Sequence, residues 1–176
     1  MSTIFRCGIC AAFLQLASVN AFCEDSKKPI VGGDGKLKIG TSSSSTKWIL
    51  TAEVDTGADR SSVDAVGFES VKFSELAVGD DLEFWIVTER RKSPGSAPAI
   101  WEIVQKKRAI AKYHGTKRVN GENRPLVKLW IKYPGAKPVP LIVNLNSRNK
   151  RERMLLGEDF TDGKLVDTEL TFGDAW

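Results

Sequence analysis

Leu50-Thr51-Ala52-Glu53-Val54-Asp55-Thr56-Gly57-Ala58 is the stretch that decides how this chain is read. Leu50, Ala52 and Val54 share one face at the two-residue period of a half-buried strand, and that strand runs directly into Asp55. An aspartate at a strand end projects from a tight turn. The Thr56 hydroxyl can bond nearby backbone, and Gly57 lets another segment approach closely. One such carboxylate is an ordinary turn former. Two of them at about 3 Å cannot both ionise, so they share a proton and titrate as a unit. One then takes a proton from water while the other donates to a substrate carbonyl.

The strand period continues outward from this motif. Leu82, Phe84 and Ile86 alternate, as do Val127, Leu129, Ile131 and Tyr133, with Lys128 and Lys132 opposite. The turn Pro134-Gly135-Ala136-Lys137 then leads to Val139, Leu141, Val143 and Leu145, which predicts a hairpin. Residues 100–113 read as a longer, more polar strand, and 91–98 as a Ser/Pro/Gly-rich loop between strands. Helical pattern is scarce, with one short helix expected around 70–76 and one after Gly157. These features predict an all-β protein, a barrel or sandwich with one or two short helices.

The N-terminus has a different character. Met1 to Arg6 carries one positive charge, Cys7 to Val19 is apolar, and Val19-Asn20-Ala21 supplies small residues before a cleavage point. Residues 1–21 are therefore expected to be a signal peptide, and the protein periplasmic or secreted. A buried helix or an uncleaved anchor is the other reading of this run. The run is too short for a comfortable span, so no stable membrane span is expected after cleavage. Cys7 and Cys10 would leave with it, and only Cys23 could remain, which excludes an internal disulfide and a thiolate metal cluster. Residues 22–47 contain Gly32-Gly33-Asp34-Gly35 and Ser42-Ser43-Ser44-Ser45 and read as a flexible linker, with the folded domain over 48–176. A net charge of +4 is too weak to imply nucleic acid. No phosphate loop and no His-Glu-x-x-His is present, and His114 is the one histidine, so neither metal nor cofactor is expected.

A hundred residues after Asp55 comes Leu155-Leu156-Gly157-Glu158-Asp159-Phe160. Two apolar residues and a glycine before a short helix resemble the second signature of retropepsins. The similarity is closer to the bacterial retropepsin-like aspartic endopeptidases formerly labelled ATP-dependent zinc proteases. It rests on Ala52 to Ala58, Ser61, Ala65, Asn123-Arg124-Pro125-Leu126-Val127, Asn146-Ser147-Arg148, Met154, Leu155-Leu156-Gly157 and Leu165-Val166-Asp167. The resemblance implies a retropepsin-like closed β-barrel in which the apolar pair packs beneath the Asp loop. It makes Asp55 the catalytic residue, with Thr56, Gly57, Ala58, Leu155, Leu156 and Gly157 supporting the active loop. One motif per chain implies a homodimer with an Asp dyad across its two-fold axis.

The retropepsin order also implies a mobile hairpin between residue 113 and the strand near Leu126, with His114, Arg118 and Arg124 as substrate-binding candidates. Lys106, Lys107, Arg108, Lys112 and Lys117 add positive charge on or near it. That charge is either solvated surface or a selector of acidic peptides. Some members of the family work beside ligases that add glutamates, which fits the second reading. The chain departs from the family at Asp59 and Glu158, where arginines are usual, and at Asp64, where a histidine is usual. Arg60 is expected to pair with Glu158 or Asp59. The function expected is an aspartic endopeptidase acting on peptide or protein substrates. The alternatives are a non-catalytic peptide-binding module of the envelope that kept the fold, and a structural envelope protein in which Asp55 only forms a turn.

Overall fold

The computed structural model describes residues 30–172, and the expected signal peptide 1–21 lies outside the described residues. The fold is all-β. Its strands are β1 (Ile30–Gly40), β2 (Trp48–Val54), β3 (Ser62–Val66), β4 (Asp81–Lys92), β5 (Trp101–Val119), β6 (Glu122–Lys132), β7 (Val139–Asn146), β8 (Met154–Leu156) and β9 (Leu165–Phe172). A single-turn helix, α1 (Glu158–Thr161), follows Gly157, and a 3-10 turn spans Phe73–Glu75, both where short helices were expected; a further 3-10 turn, Ser43–Ser45, was not expected. The strands join in the order β4-β5-β6-β7-β3-β8-β2-β1-β9, and the sheet curls back on itself where β3 also pairs with β4 and β1 with β6.

The core follows the alternation read from the sequence. Leu50, Ala52, Val63, Phe84, Ile86, Val127, Leu129, Ile131, Val143, Leu145, Met154 and Leu156 are all essentially inaccessible. The β6–β7 hairpin pairs Val127 with Val143 and Leu129 with Leu141, which keeps the apolar positions of both strands on one face.

Residues 30–40 correct the linker reading of 22–47 and the domain start at 48. They form β1, held antiparallel to β2 (Asp34 opposite Glu53, Leu37 opposite Leu50) and parallel to β9 (Ile30 opposite Leu165). Glycines weaken a strand by removing side chains, but pairing on both edges satisfies the backbone here. Leu37 and Ile39 are fully buried, and the alternation Lys36-Leu37-Lys38-Ile39 is the signal that composition masked. The serines after Gly40 make a tight connection, in which Lys47 N–H donates to the Ile39 carbonyl (3.1 Å) and Ser45 N–H to the Ser42 carbonyl (3.1 Å). Ile39→Val is expected to cost about 0.5–1.5 kcal/mol in denaturant unfolding. An unchanged midpoint would return this segment to a linker.

The long strand expected over 100–113 extends to Val119. β5 pairs with β4 as far as Lys112 opposite Asp81. After a bulge between Tyr113 and Thr116 it pairs with β6 through Thr116–Pro125 and Val119–Glu122. The connection is Asn120-Gly121, with φ of 50° and 85°. Two successive left-handed residues make the tight hairpin turn that suits a twisted ribbon, and Asn-Gly is the pair that adopts it most readily. Beyond Tyr113 the hairpin tip is a two-stranded ribbon that has left both β4 and β7.

Candidate functional site

β8 lies between β2 and β3, parallel to the first (Val54 beside Leu156) and antiparallel to the second (Ser62 opposite Leu155). The loop from Asp55 to Ser61 therefore crosses over the end of β8, and Leu155-Leu156-Gly157 lies against it. Asp55 N–H donates to the Leu156 carbonyl (2.9 Å), and Glu158 N–H donates to the Ala58 carbonyl (2.7 Å). Within the turn, Gly57 N–H donates to the Asp55 carboxylate (3.0 Å) and Ala58 N–H to the Asp55 carbonyl (3.1 Å). Asp55 itself ties the turn that was expected to use the Thr56 hydroxyl, and both residues are exposed.

The far end of the loop is fastened through Ser61. Its N–H and hydroxyl both donate to Asp159 Oδ1 (2.8 and 2.6 Å), its hydroxyl accepts from Gly157 N–H (3.0 Å), and its carbonyl accepts from Asn144 Nδ2 (3.0 Å). A Cβ on Gly157 would sit 2.5 Å from the Ala58 carbonyl oxygen and 2.7 Å from the Arg60 carbonyl carbon, both backbone atoms. Gly157→Ala is expected to destabilise the fold by about 1–3 kcal/mol through forced backbone shifts. Thermal melts check this, and an alanine variant melting with the parent would mean that the loop is not seated on Gly157.

The expected pairing of Arg60 is corrected. Arg60 Nη1 donates to the Ile142 carbonyl (3.3 Å), whereas Asp59 pairs with Lys117 on the hairpin tip (3.1 Å). Asp159, one position beyond the departure at Glu158, holds the loop, and Glu158 is exposed.

Asp55 opens onto a cleft of about 890 Å³. Gly57, Ala58 and Leu155 line it together with the hairpin tip, from which Lys117, Arg118 and Arg124 contribute. Arg118 and Arg124 therefore line the same cleft as Asp55. His114, expected with them, does not line the cleft. It sits half-buried in the β5 bulge, short of the part of the ribbon that reaches over the loop. Lys106, Lys107, Arg108 and Lys112 also lie elsewhere, on the stretch paired with β4, where Arg108 grips Glu83 and Lys112 meets Asp81. Their place in the cleft is taken by Arg60, Arg148 and Lys150, so six cations line it with Asp55, Asp59 and Glu122 as its acids. Lys117–Asp59 (3.1 Å) and Arg124–Glu122 (3.3 Å) pair among themselves, leaving Asp55 in a cleft of positive excess.

Behind the cleft is a buried charge cluster that sequence reading missed. Asp64 is fully buried and accepts both arms of the Arg90 fork (2.8 and 2.9 Å), Arg153 Nη1, and the backbone N–H of Arg148 (3.0 Å). Burial pushes the Arg153 guanidinium below its ordinary value, against the pull of Asp64. Burial does the same to Arg148, opposed by Asp64, Glu53 and Glu152 and reinforced by Arg124. Among the described residues no group of three His, Cys, Asp or Glu side chains is placed to hold a metal ion, and no helix is long and apolar enough to cross a membrane.

Among solved structures, the chain resembles the crystal structure of Lpg0085, a protein with unknown function (DUF785) from Legionella pneumophila subsp. pneumophila str. Philadelphia 1. The TM-score is 0.60 and the sequence identity 26%, over 83% of this chain and 98% of that one. No family model matches the chain, and no curated protein matches it.

Proposed function

We propose that this chain is a retropepsin-like aspartic endopeptidase, a closed β-barrel that works as a homodimer in the periplasm or outside the cell. The observation that carries the reading is the seating of the Asp55 loop. Its backbone is bonded to Leu156 and Glu158 around a glycine that tolerates no side chain, and a hairpin tip lines the same cleft. The return pairings of β3 with β4 and β1 with β6 support barrel closure.

In this reading Asp55 and the partner subunit's Asp55 share one proton across a two-fold axis. The ionised carboxylate takes a proton from water as the water oxygen attacks the peptide carbonyl. The protonated one gives its proton to the carbonyl oxygen, forming a tetrahedral diol. Collapse of the diol breaks the C–N bond and delivers a proton to the departing amine. The exposure of Asp55 leaves it free to meet its copy, and the cationic walls suit acidic peptides. Sedimentation of the mature chain beside digestion of a peptide library tests the reading. A dimer with cleavage that disappears in Asp55→Asn supports it. A strict monomer that binds peptides and cuts none replaces it with the non-catalytic peptide-binding module.

A further inference from the structure

Arg148 is 6% exposed, yet it lines the cleft. Its Nη1 donates to the buried Ser62 hydroxyl (2.8 Å), and its Nε finds no acceptor within the protein. The adjacent carboxylate does not supply one: both Asp64 oxygens are engaged by Arg90, Arg153 and the Arg148 backbone N–H, not by the Arg148 guanidinium. Unpartnered donors recur along the same wall. Arg60 Nε and Arg124 Nε are also buried without acceptors. A buried guanidinium is costly to hold away from water unless an anion meets it, and although Asp64, Glu53 and Glu152 favour its charge, the Arg148 guanidinium is hydrogen-bonded to Ser62 and to none of these acids. The planar fork of arginine matches a carboxylate, and a carboxylate is the anion that an unmodified peptide brings into such a cleft.

We propose that Arg148, fixed from behind by Ser62 and flanked by Arg60 and Arg124, is a carboxylate-anchoring specificity residue that holds one acidic group of the bound peptide beside Asp55. This rests on the peptide-cleft reading above and adds the group that is read and the residue that reads it. The carboxylate comes either from an aspartate or glutamate side chain or from the C-terminus of the peptide. The Asp64–Arg90–Arg153 cluster is the rigid backing that keeps Arg148 from retreating.

The test uses fluorescein-labelled hexapeptides with a central Glu or Gln, each as free acid and as C-terminal amide. Binding is measured by anisotropy on the Asp55→Asn chain. A peptide carrying the recognised carboxylate is expected to bind roughly 10- to 100-fold more tightly than its neutral counterpart. Selectivity that follows Glu over Gln assigns a side-chain carboxylate, and selectivity that follows acid over amide assigns the terminal one. Arg148→Met is expected to erase the difference while the melting temperature holds or rises, because a surplus buried cation has been removed. Arg148→Lys, which keeps the charge but loses the fork, is expected to retain the fold and only part of the selectivity.

Equal binding of all four peptides overturns the proposal, as does selectivity that survives Arg148→Met. A fall of several degrees in melting temperature in both Arg148 variants also overturns it, because the residue is then structural. The two readings fail separately. Carboxylate-selective binding by a chain that never cuts leaves the anchor standing and removes the peptidase. Cleavage without carboxylate preference does the reverse.

Discussion

Asp55→Asn is expected to lower peptide hydrolysis by about 10²- to 10⁴-fold while leaving the melting temperature unchanged. The geometry separates the two effects. The carboxylate is exposed, and its one bond within the turn is the Gly57 N–H, which an asparagine carbonyl oxygen accepts equally well. The backbone bonds to Leu156 and Glu158 do not involve the side chain. What the substitution removes is the charge that activates water and the proton shared across the dyad. Mixing parent and variant subunits sharpens the result. If each site needs one Asp55 from each chain, an equal mixture should retain about a quarter of the parent activity per site, since only parent–parent pairs work. Retention of about half would mean that each chain cuts alone, and the two-fold dyad would be abandoned. Unchanged hydrolysis in the pure variant would remove Asp55 from the chemistry.

The second large effect is on stability. Asp64→Asn is nearly isosteric, yet it strips the negative charge from a fully buried site that faces Arg90 and Arg153. Breaking a buried ion cluster by removing one sign typically costs about 3–5 kcal/mol, because the opposite charges stay behind without compensation. For a domain of this size that is a fall on the order of 10 °C in melting temperature. Adding Arg153→Met to Asp64→Asn should recover part of the loss by removing one of the stranded cations. Differential scanning calorimetry of the single and double variants measures both. An Asp64→Asn protein within a degree of the parent would show that the cluster is hydrated and contributes little.

The part of the site built from contiguous residues was legible in the sequence. The strand into Asp55, the apolar pair before Gly157 and the β6–β7 hairpin each carry a local pattern, and Val127 and Leu129 are buried where period two puts them. β1 was hidden because Gly32, Gly33, Gly35 and the serine run dominate the composition. Two buried residues, Leu37 and Ile39, decide the matter, and their strand is held by partners far along the chain. The cluster around Asp64 was hidden for a different reason. Arg90, Arg148 and Arg153 lie far from Asp64 in sequence and meet it only because β3 runs beside β4, β7 and β8. Asp64 and Arg148 stood out as departures or matches of type, but nothing local to either names its partner. The bulge that holds His114 was not legible either, because a bulge is a register event, invisible to residue type.

The bulge also has a kinetic consequence. Upstream of it, β5 is tied into the sheet by its long ladder with β4. Downstream, it belongs to a ladder that can peel away without disturbing the central strands. Hydrogen exchange near Val119 and Glu122 would then proceed by fraying at low cost, whereas Leu129 exchanges only when the whole domain opens. In the proposed peptidase an extended chain would then be admitted sideways on a timescale set by that ladder rather than by unfolding.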